Sequence, residues 1–410
     1  MNEQTKKRIL SYGDVIANIG LNIQQDEILV IQSSIDGAPL ARAVTKAAYE
    51  LGAKKVILEY HDEEITKMQL MYQSIDTMKE IQAYQYAERD YYIEQKVSYL
   101  LIESSAPDFL KDAPKDKLNE RSQTMMKFSE PMQDEFGKLS MTWCIVAYPS
   151  IEWAQLVFPD LSETEAFDRL LEEILTNVRL NEVDPVAAWK AHVEALDKRA
   201  KWLTDKNFDA LHYTAPGTDL HVGLIDGAKW LGAKSKNKKG HDVIVNMPTE
   251  EIFSSPDFRR VNGRVANTLP LSYRGNIIDD FYLDFKDGVV VNYGAEQGLE
   301  TLEQLLDTDE GARRLGEIAL VPVDSPISQS GVLYYSTLFD ENASCHIALG
   351  DSFPEVIDAS DLSTEEQLAK GLNDSLTHVD FMIGSDKLTI EGIFKDGSRE
   401  KVFENGNWLQ

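Results

Sequence analysis

The sequence predicts an α/β N-terminal domain, with a parallel sheet and flanking helices, followed by a β-rich α+β C-terminal domain. Roughly the first 200 residues alternate short apolar runs with longer polar stretches of helical period. Strands that alternate with helices are typical of right-handed βαβ units and a parallel sheet. Later residues form short β-type runs separated by Gly and Asn. The predicted domains are residues 1–205 and 206–410.

Four apolar runs predict the strands of the parallel sheet, at residues 27–32, 55–60, 99–103 and 142–148. Between the first two, the stretch from Ala38 to Leu51 has apolar residues at helical spacing, and Gly52 then favours the end of a helix. The turn at residues 33–37 lacks a Gly-rich phosphate-binding motif, so no dinucleotide site is predicted.

The rest of the chain predicts one helical region and then mostly strands. Residues 162–205 have helical character, with acids early and bases late, which suits the helix dipole. A further helix is predicted at residues 300–314, and strand-like sequence resumes at Glu317. The other predicted strands are residues 219–224, 242–246, 281–285 and 288–293.

Charge and composition exclude several classes of function. The 41 Lys and Arg residues and 69 Asp and Glu residues give a net charge of −28. Such a field repels nucleic-acid phosphates and anionic lipids, so neither partner is expected. We find no apolar stretch of about 20 residues and no signal-peptide pattern. The two cysteines, Cys144 and Cys345, are too few for a disulfide framework, and buried free thiols in a cytoplasmic protein are expected.

The chain has seven histidines, so each can be considered singly. Five of them lie in ordinary polar or strand-edge contexts and are interpreted as surface or structural residues: His61, His192, His212, His221 and His241.

His378 and Asp380 lie in an apolar run, residues 376–383, that predicts a strand. Because side chains alternate along a strand, these two point to the same face. A nitrogen and a carboxylate about 7 Å apart along a strand form a workable edge of a metal site. The alternative is a polar strand face that meets solvent.

His346 leads an apolar run into Gly350, which indicates an interior position where the imidazole needs a partner. Glu341 and Asp351 are possible neighbours, and a core histidine satisfied by one of them is the alternative to a ligand.

Glutamates at two places have an unusual context. Glu250 and Glu251 lie at a proline-bounded bend just after a predicted strand, and in extended backbone they cannot both point into one pocket. Glu317 opens a buried apolar run, where a carboxylate is costly unless a positive group meets it.

Four motifs resemble the M29 metallo-aminopeptidases. They are Asn-Met-Pro-Thr-Glu-Glu-Ile-Phe (246–253), Gly-Glu-Ile-Ala-Leu-Val-Pro (316–322), Leu-Phe-Asp-Glu-Asn-Ala-Ser-Cys-His-Ile-Ala-Leu-Gly (338–350) and His-Val-Asp-Phe-Met-Ile-Gly (378–384). The resemblance covers the whole chain in length and in the order α/β then β-rich, with its motifs confined to the second domain.

The resemblance implies a dinuclear metal site that removes N-terminal residues from peptides with a free N-terminus. It implies the ligands Glu251, Glu317, His346, His378 and Asp380, with Glu341 as a further ligand or close neighbour. Glu251 is chosen because the family's interval to the next ligand glutamate fits it better. Glu250 is then the candidate for the carboxylate that transfers a proton, since a base must remain unligated. The resemblance also implies a homodimer.

The residue types suit this chemistry independently. Two cations about 3.5–4 Å apart need a bridging carboxylate and several negative charges to offset four positive ones. Mixed oxygen and nitrogen ligands suit Zn²⁺, Co²⁺ or Mn²⁺. The resemblance therefore implies two such ions per chain.

Two other functions remain open at this point. One is a non-catalytic peptide- or metal-binding protein that retains the fold, and the other is a different dinuclear metallohydrolase. Only Phe353 favours the first, because members of the family often carry a tyrosine at this position.

Overall fold

A computed structural model describes residues 3–274 and 276–409 of the chain. The chain forms two compact units. The first runs to His192 and includes Lys234–Pro248, and the second comprises Val193–Ala233 and the chain from Thr249 onwards. The first unit therefore takes in a segment that the sequence analysis assigned to the second domain, while the boundary after residue 205 stays a prediction.

Most of the longer helices lie before residue 207. The helices of the described residues are α1 (Glu3–Val15), α2 (Ala38–Glu50), α3 (Glu63–Tyr72), α4 (Ile75–Met78), α5 (Ala83–Gln95), α6 (Lys115–Gly137), α7 (Ile151–Val157), α8 (Glu163–Asn177), α9 (Pro185–Lys206), α10 (Leu299–Leu306), α11 (Pro326–Ser330), α12 (Thr337–Asp340) and α13 (Thr364–Lys370). Within the described ranges, none of them combines the length and apolar character needed to cross a bilayer.

The strands are long in the middle of the chain and short elsewhere. They are β1 (Ile28–Ser34), β2 (Lys55–His61), β3 (Ser98–Glu103), β4 (Trp143–Ala147), β5 (Ala210–Ala215), β6 (Thr218–Leu224), β7 (Lys234–Lys236), β8 (Asp242–Ile244), β9 (Ile252–Ser254), β10 (Pro256–Ala266), β11 (Leu271–Tyr273), β12 (Asn276–Lys286), β13 (Val289–Gln297), β14 (Leu315–Leu320), β15 (His346–Gly350), β16 (His378–Met382), β17 (Thr389–Ile393), β18 (Arg399–Glu404) and β19 (Asn407–Trp408).

A parallel sheet with the strand order β2-β1-β3-β4 forms the centre of the first unit. All four predicted strands are confirmed, with ends that differ by one or two residues. The central strand β1 is buried along almost its whole length, as expected when helices cover both faces of a parallel sheet. Helix α2 follows β1 after a 3₁₀ turn at Ile35–Gly37 and has Pro39 in its first turn, a position that suits proline.

The segment Lys234–Pro248 belongs to the first unit because it bonds to β4. The Ile145 N–H donates to the Val245 carbonyl oxygen at 2.7 Å, and the Met247 N–H donates to the Ile145 carbonyl oxygen at 3.0 Å. Strands β7 and β8 form an antiparallel hairpin within this segment. Pairing between distant segments leaves no local signal, so the sequence pattern did not reveal it.

One predicted helical region is interrupted in the structure, and one predicted helix is shorter. The region 162–205 contains two helices, α8 and α9, separated by residues 178–184. The helix predicted at residues 300–314 ends at Leu306, and a 3₁₀ turn follows at Gly311–Arg313. The Asp309 carboxylate accepts a hydrogen bond from the Ala312 N–H at 2.8 Å. A short polar side chain of this kind favours a new turn over a continuous helix.

The second unit contains a large antiparallel sheet and a smaller one. The larger sheet has the order β11-β12-β10-β6-β5-β17-β18-β19, with β13 also beside β12. The smaller sheet has the order β16-β15-β14-β9, and every neighbouring pair in it is antiparallel. All residues of β14 and β15 are buried. The predicted order, an α/β region followed by a β-rich region, is therefore confirmed.

A β-bulge at Gly316 turns Glu317 onto a different face of the small sheet. Leu315 lies opposite Leu349, but Glu317 lies opposite Ala348, so β14 has one residue more than its partner over this interval. Without the extra residue, Leu315 and Glu317 would point to the same face. A Cβ atom on Gly316 would lie 1.9 Å from the carbonyl oxygen of Asp351, so the bulge requires glycine.

We expect Gly316→Ala to lower the free energy of unfolding by about 1–3 kcal/mol, because the added methyl group forces the backbones of β14 and residue 351 apart. The unfolding midpoint in urea measures this loss. The matched control is Gly137→Ala at the end of α6, where a Cβ atom would meet nothing within 4 Å. The control should stay within about 0.5 kcal/mol of the parent chain. Equal midpoints for the two variants would contradict the close approach at Gly316.

Candidate metal centre

The small sheet brings the predicted site residues of β14, β15 and β16 together on one face. Glu317 lies opposite Ala348, and Ala348 lies opposite Asp380. His346 and His378 are two residues from Ala348 and Asp380 along their own strands, so they share the face.

Glu251 reaches the same face from the other edge of the sheet. Phe253 of β9 lies opposite Ala319 of β14, and Glu251 lies two residues before Phe253. The residue opposite Ala319 on β15 is His346. Ala319 and Ala348 thus lie between the polar side chains. Because both carry only a methyl group, they leave space above the sheet for the longer acids and imidazoles to converge.

The polar atoms form two groups that share Glu317. His346 Nε2 lies 3.1 Å from Glu251 Oε2. His378 Nε2 lies 3.0 Å from Glu317 Oε2 and 3.4 Å from Asp380 Oδ1. The donor atoms of Glu251, Glu317 and His346 lie within 4.8 Å of one another, and so do those of Glu317, His378 and Asp380.

Both imidazoles are held by backbone carbonyls behind the cluster. His346 Nδ1 lies 3.2 Å from the carbonyl oxygen of Ser344, and His378 Nδ1 lies 2.8 Å from that of Asp351. Since a carbonyl can only accept, the proton of each neutral ring lies on Nδ1. The Nε2 lone pair of each ring then points at the carboxylates, which is the usual arrangement of a metal-binding histidine.

Burial dominates the electrostatics of the acidic side chains. It raises the pKa of Glu317 to about 7, although the hydrogen bond with His378 lowers it. Burial also raises the pKa of Glu341 well above its ordinary range, and the nearby charges of Glu251 and Asp380 raise it further. Without cations, these carboxyl groups would therefore take up protons around neutral pH.

The histidines and Asp380 shift in the opposite sense. Burial lowers the pKa of His346, but its interaction with Glu251 and the charges of Asp380 and Glu317 outweigh this and raise the pKa to about 10. The pKa of His378 is also raised, by Asp380 and Glu317 against the effect of burial. Burial would raise the pKa of Asp380, yet the His378 charge lowers it strongly. The buried carboxylates therefore favour positively charged groups within the cluster.

Two buried carboxylate oxygens indicate which kind of ligand this cluster can bind. Glu251 Oε2 and Asp380 Oδ1 are out of contact with solvent and receive no hydrogen bond from the described residues. Each lies near an imidazole Nε2, and in the neutral ring, which is the form that binds a metal, this nitrogen has no proton to donate. A buried carboxylate oxygen without a donor is costly, and a divalent cation between oxygen and nitrogen removes that cost. The donor set therefore fits divalent metal ions.

Glu250 and Glu341 lie beside the cluster in a connected arrangement. The backbone N–H of Glu250 donates to the Asn342 side-chain oxygen at 2.7 Å, and the Asn342 amide donates to Glu341 Oε1 at 3.3 Å. Glu341 opens a 3₁₀ turn, Glu341–Ala343, and both glutamates are buried. The ligand role predicted for Glu341 and the proton-transfer role predicted for Glu250 stay predictions.

Phe353 packs against the edge of the cluster. Its ring centre lies 5.0 Å from that of His378 and 5.0 Å from that of Phe253. The side chain thus braces one predicted ligand through apolar contact, where a tyrosine would add a hydroxyl group.

Several contributors to the site were missed by sequence reasoning. Ala319 and Ala348 act through small size, Asn342 acts through its side-chain amide, and Ser344 and Asp351 act through their carbonyl groups. Ala348 has a usable signal, because it lies two residues from His346 in an apolar run. The carbonyl groups had none, since every residue carries one.

Comparisons with known proteins agree with this site. The family model described as "Thermophilic metalloprotease (M29)" matches residues 5–408. Aminopeptidase 2 of Geobacillus stearothermophilus is 42% identical over 98% of each chain, and aminopeptidase PepS of Streptococcus thermophilus is 41% identical over 98% of each. The solved structure of wild-type AmpT from Thermus thermophilus superimposes with a TM-score of 0.92 at 35% identity, covering 98% of this chain and 100% of that one.

These matches confirm the resemblance that the four sequence motifs indicate, and they extend it over nearly the whole chain. The match to a solved structure confirms the fold class as well. The chain belongs to the M29 family of thermophilic metalloproteases.

Proposed function

We propose that this protein removes N-terminal residues from peptides by hydrolysis, with two divalent cations bound side by side in the cluster on the small sheet. Membership of the family, together with relatives named as aminopeptidases, makes it a metal-dependent aminopeptidase, a hydrolase. The number of ions and the residues that hold them are our proposal.

The observation that carries the proposal is the shared position of Glu317. Its carboxylate belongs to both donor groups, the one with Glu251 and His346 and the one with His378 and Asp380. A carboxylate has two oxygens, so it can bind one cation through each. Ions bridged in this way are typically about 3.5–4 Å apart, a separation seen in dinuclear hydrolases.

The charges of the cluster also favour two ions. The carboxylates of Glu251, Glu317, Glu341 and Asp380 carry four negative charges when ionised, which equal the four positive charges of two dications. One ion would leave a buried excess of negative charge, which is strongly unfavourable. Zn²⁺, Co²⁺ and Mn²⁺ all accept such mixed ligands, so the donor set leaves the choice of metal open.

The chain's own residues orient the ions and handle protons. Bound dications would lower the pKa of a water molecule and polarise the scissile carbonyl group. The backbone carbonyls behind His346 and His378 keep both Nε2 atoms aimed at the cluster. We assign Glu250 to proton transfer, because the carboxylate that transfers a proton must remain unligated.

The proposed metal-loaded site favours substrates with a free amino terminus. An unprotonated α-amine could itself bind a metal ion, whereas the amide nitrogen of an N-acetylated peptide is a poor ligand. An N-acetylated peptide is therefore expected to bind poorly. The predicted homodimer and cytoplasmic location stay part of the proposal, and light scattering on the purified protein tests the first.

The alternative function is a non-catalytic peptide- or metal-binding protein. Phe353 favours it, because the position against His378 lacks the hydroxyl group that a tyrosine would supply. The same Phe353 contact also supports a catalytic site, since it holds a ligand imidazole in place. Turnover by the metal-loaded protein separates the two functions.

We expect Glu317→Gln to reduce kcat by at least about 100-fold and to lower the number of bound metal ions, because losing a ligand does more harm than losing a group that only orients one. Release of free amino acids from unblocked peptides and metal analysis measure the two effects. The matched control is Glu300→Gln, an exposed glutamate in the first turn of α10.

The same assay tests the exopeptidase proposal. The parent chain should release amino acids from free peptides and leave N-acetylated peptides of the same sequence intact. Equal cleavage of both substrates would contradict recognition of the amino terminus. Near-normal activity of Glu317→Gln would contradict the bridging role, and bound peptide without turnover by the metal-loaded parent chain would favour the non-catalytic alternative.

Stability of the metal-free chain should fall as the pH rises from about 4.5 to about 10. The pKa of Glu317 is about 7 in the folded chain against an ordinary 4.5, and that of His346 is about 10 against 6.5. The folded chain therefore holds protons that the unfolded chain releases, so raising the pH favours unfolding. The lowered pKa of Asp380 acts only in the acid range, outside this interval.

Calorimetry of the chelator-treated chain at pH 6 and pH 9 measures this effect. The melting temperature should be lower at pH 9, and added divalent cations should reduce the difference because they replace the protons. Chelator-treated Glu317→Gln should show a smaller fall than the parent chain. A melting temperature that rises from pH 6 to pH 9 would contradict the charge balance described for the cluster.

A further inference from the structure

Three potential metal ligands lie together on the larger sheet of the second unit, outside the cluster described above. They are His212 on β5 and Asp219 and His221 on β6, and their donor atoms lie within 4.8 Å of one another. We propose that these residues bind one further transition-metal ion, of the Zn²⁺, Ni²⁺ or Cu²⁺ class, at the surface of this sheet. The proposal does not depend on the catalytic role of the other cluster.

The strand pairing brings the three side chains to one face. His212 lies directly opposite His221, and Asp219 is two residues before His221 on the same strand. Directly opposed residues on antiparallel strands have Cβ atoms about 4.5–5.5 Å apart, within reach of one ion. The neighbours Leu211, Tyr213, Leu220 and Val222 are fully buried, so the three ligands lie on the opposite, outer face.

The distances indicate a nearly assembled site. The two imidazole rings stack with centres 3.9 Å apart and an angle of 8° between their planes. Asp219 Oδ1 lies 2.7 Å from His212 Nε2. The Asp219 side chain is 77% exposed, so an ion can reach it directly from solvent. Modest rotations of the rings would aim both imidazoles at an ion held by the carboxylate.

The donor set selects a chemical class. Two imidazole nitrogens and one carboxylate oxygen suit borderline-soft divalent ions such as Zn²⁺, Ni²⁺ and Cu²⁺, and they suit Ca²⁺ or Mg²⁺ poorly. Metal ions bind the neutral form of an imidazole ring through one of its nitrogens.

Glu391 supplies a group that can orient His212. It lies on β17 directly opposite His212, and its Oε2 atom is 3.9 Å from His212 Nδ1. Metal-bound histidines commonly donate their other ring N–H to a carboxylate, which fixes the ring and raises its affinity for the metal. When an ion binds at His212 Nε2, the ring proton moves to Nδ1, where Glu391 can accept it.

Arg399 opposes this change. Its Nη1 atom lies 3.2 Å from His212 Nδ1 and 2.9 Å from Glu391 Oε2. In the described arrangement Arg399 donates to Nδ1, so His212 donates from Nε2 to Asp219. Metal binding requires Arg399 to turn away from Nδ1. A second cation, Arg264, lies opposite Asp219 on β10, but it is bound to Asp284 by two hydrogen bonds of 2.6 and 2.8 Å.

Metal counting on the purified, metal-containing protein tests the proposal with Zn²⁺ as the probe. Equilibrium dialysis against increasing free Zn²⁺ gives the ions bound per chain for the parent, for His221→Asn and for the control His241→Asn. The parent and the control should bind one ion more than His221→Asn at the same free Zn²⁺. Removing one of three protein ligands should weaken this additional ion at least about tenfold.

Two further variants keep the test independent of any folding defect in His221→Asn. Glu391→Gln should weaken the additional ion about 10–100-fold through the orientation of His212, and Arg399→Gln should strengthen it by removing the competing cation. Both positions are away from the peptidase cluster, so peptidase activity should be unchanged. Equal ion counts in the parent and His221→Asn would overturn the proposal, as would unchanged Zn²⁺ affinity in both Glu391→Gln and Arg399→Gln.

Discussion

Glu317 is a carboxylate buried among other carboxylates, and the rest of the site depends on how its charge is balanced. Its neighbours Glu251, Asp380 and Glu341 add further negative charge, whereas the nearby positive groups are two imidazoles. The chain without metal can relieve this charge only by binding protons. The proposed divalent cations would relieve it, and they would also satisfy the buried oxygens of Glu251 and Asp380.

The fold makes this arrangement from segments that are far apart in sequence. Strands β9, β14, β15 and β16 come together in an order that differs from their order along the chain. The bulge at Gly316 turns Glu317 to the face that carries His346 and His378. The two alanines between the predicted ligands keep that face open. Backbone geometry, more than side-chain identity, thus decides which acids of this very acidic chain meet.

The sequence alone predicted those parts of the structure that depend on local periodicity. The four parallel strands and the common face of His378 and Asp380 follow from alternation and apolar runs. The pairing of Glu251 with His346 does not, because it requires the strand order of the small sheet. The register between strands also cannot be predicted from local sequence. The sequence therefore indicates surface or structural roles for His212 and His221 singly, although they lie opposite each other in the sheet. Helix α10 ends at Leu306, earlier than predicted, because the Asp309 carboxylate accepts a hydrogen bond from the Ala312 N–H and so favours a new turn.

Anomalous scattering from crystals of the metal-loaded protein tests the central claim most directly. Data collected on both sides of the metal absorption edge locate each ion and identify its element. Two peaks about 3.5–4 Å apart, with the carboxylate of Glu317 between them, are the predicted result. A single peak in the cluster, or two peaks with Glu317 bound to neither, would contradict the account of a bridging carboxylate.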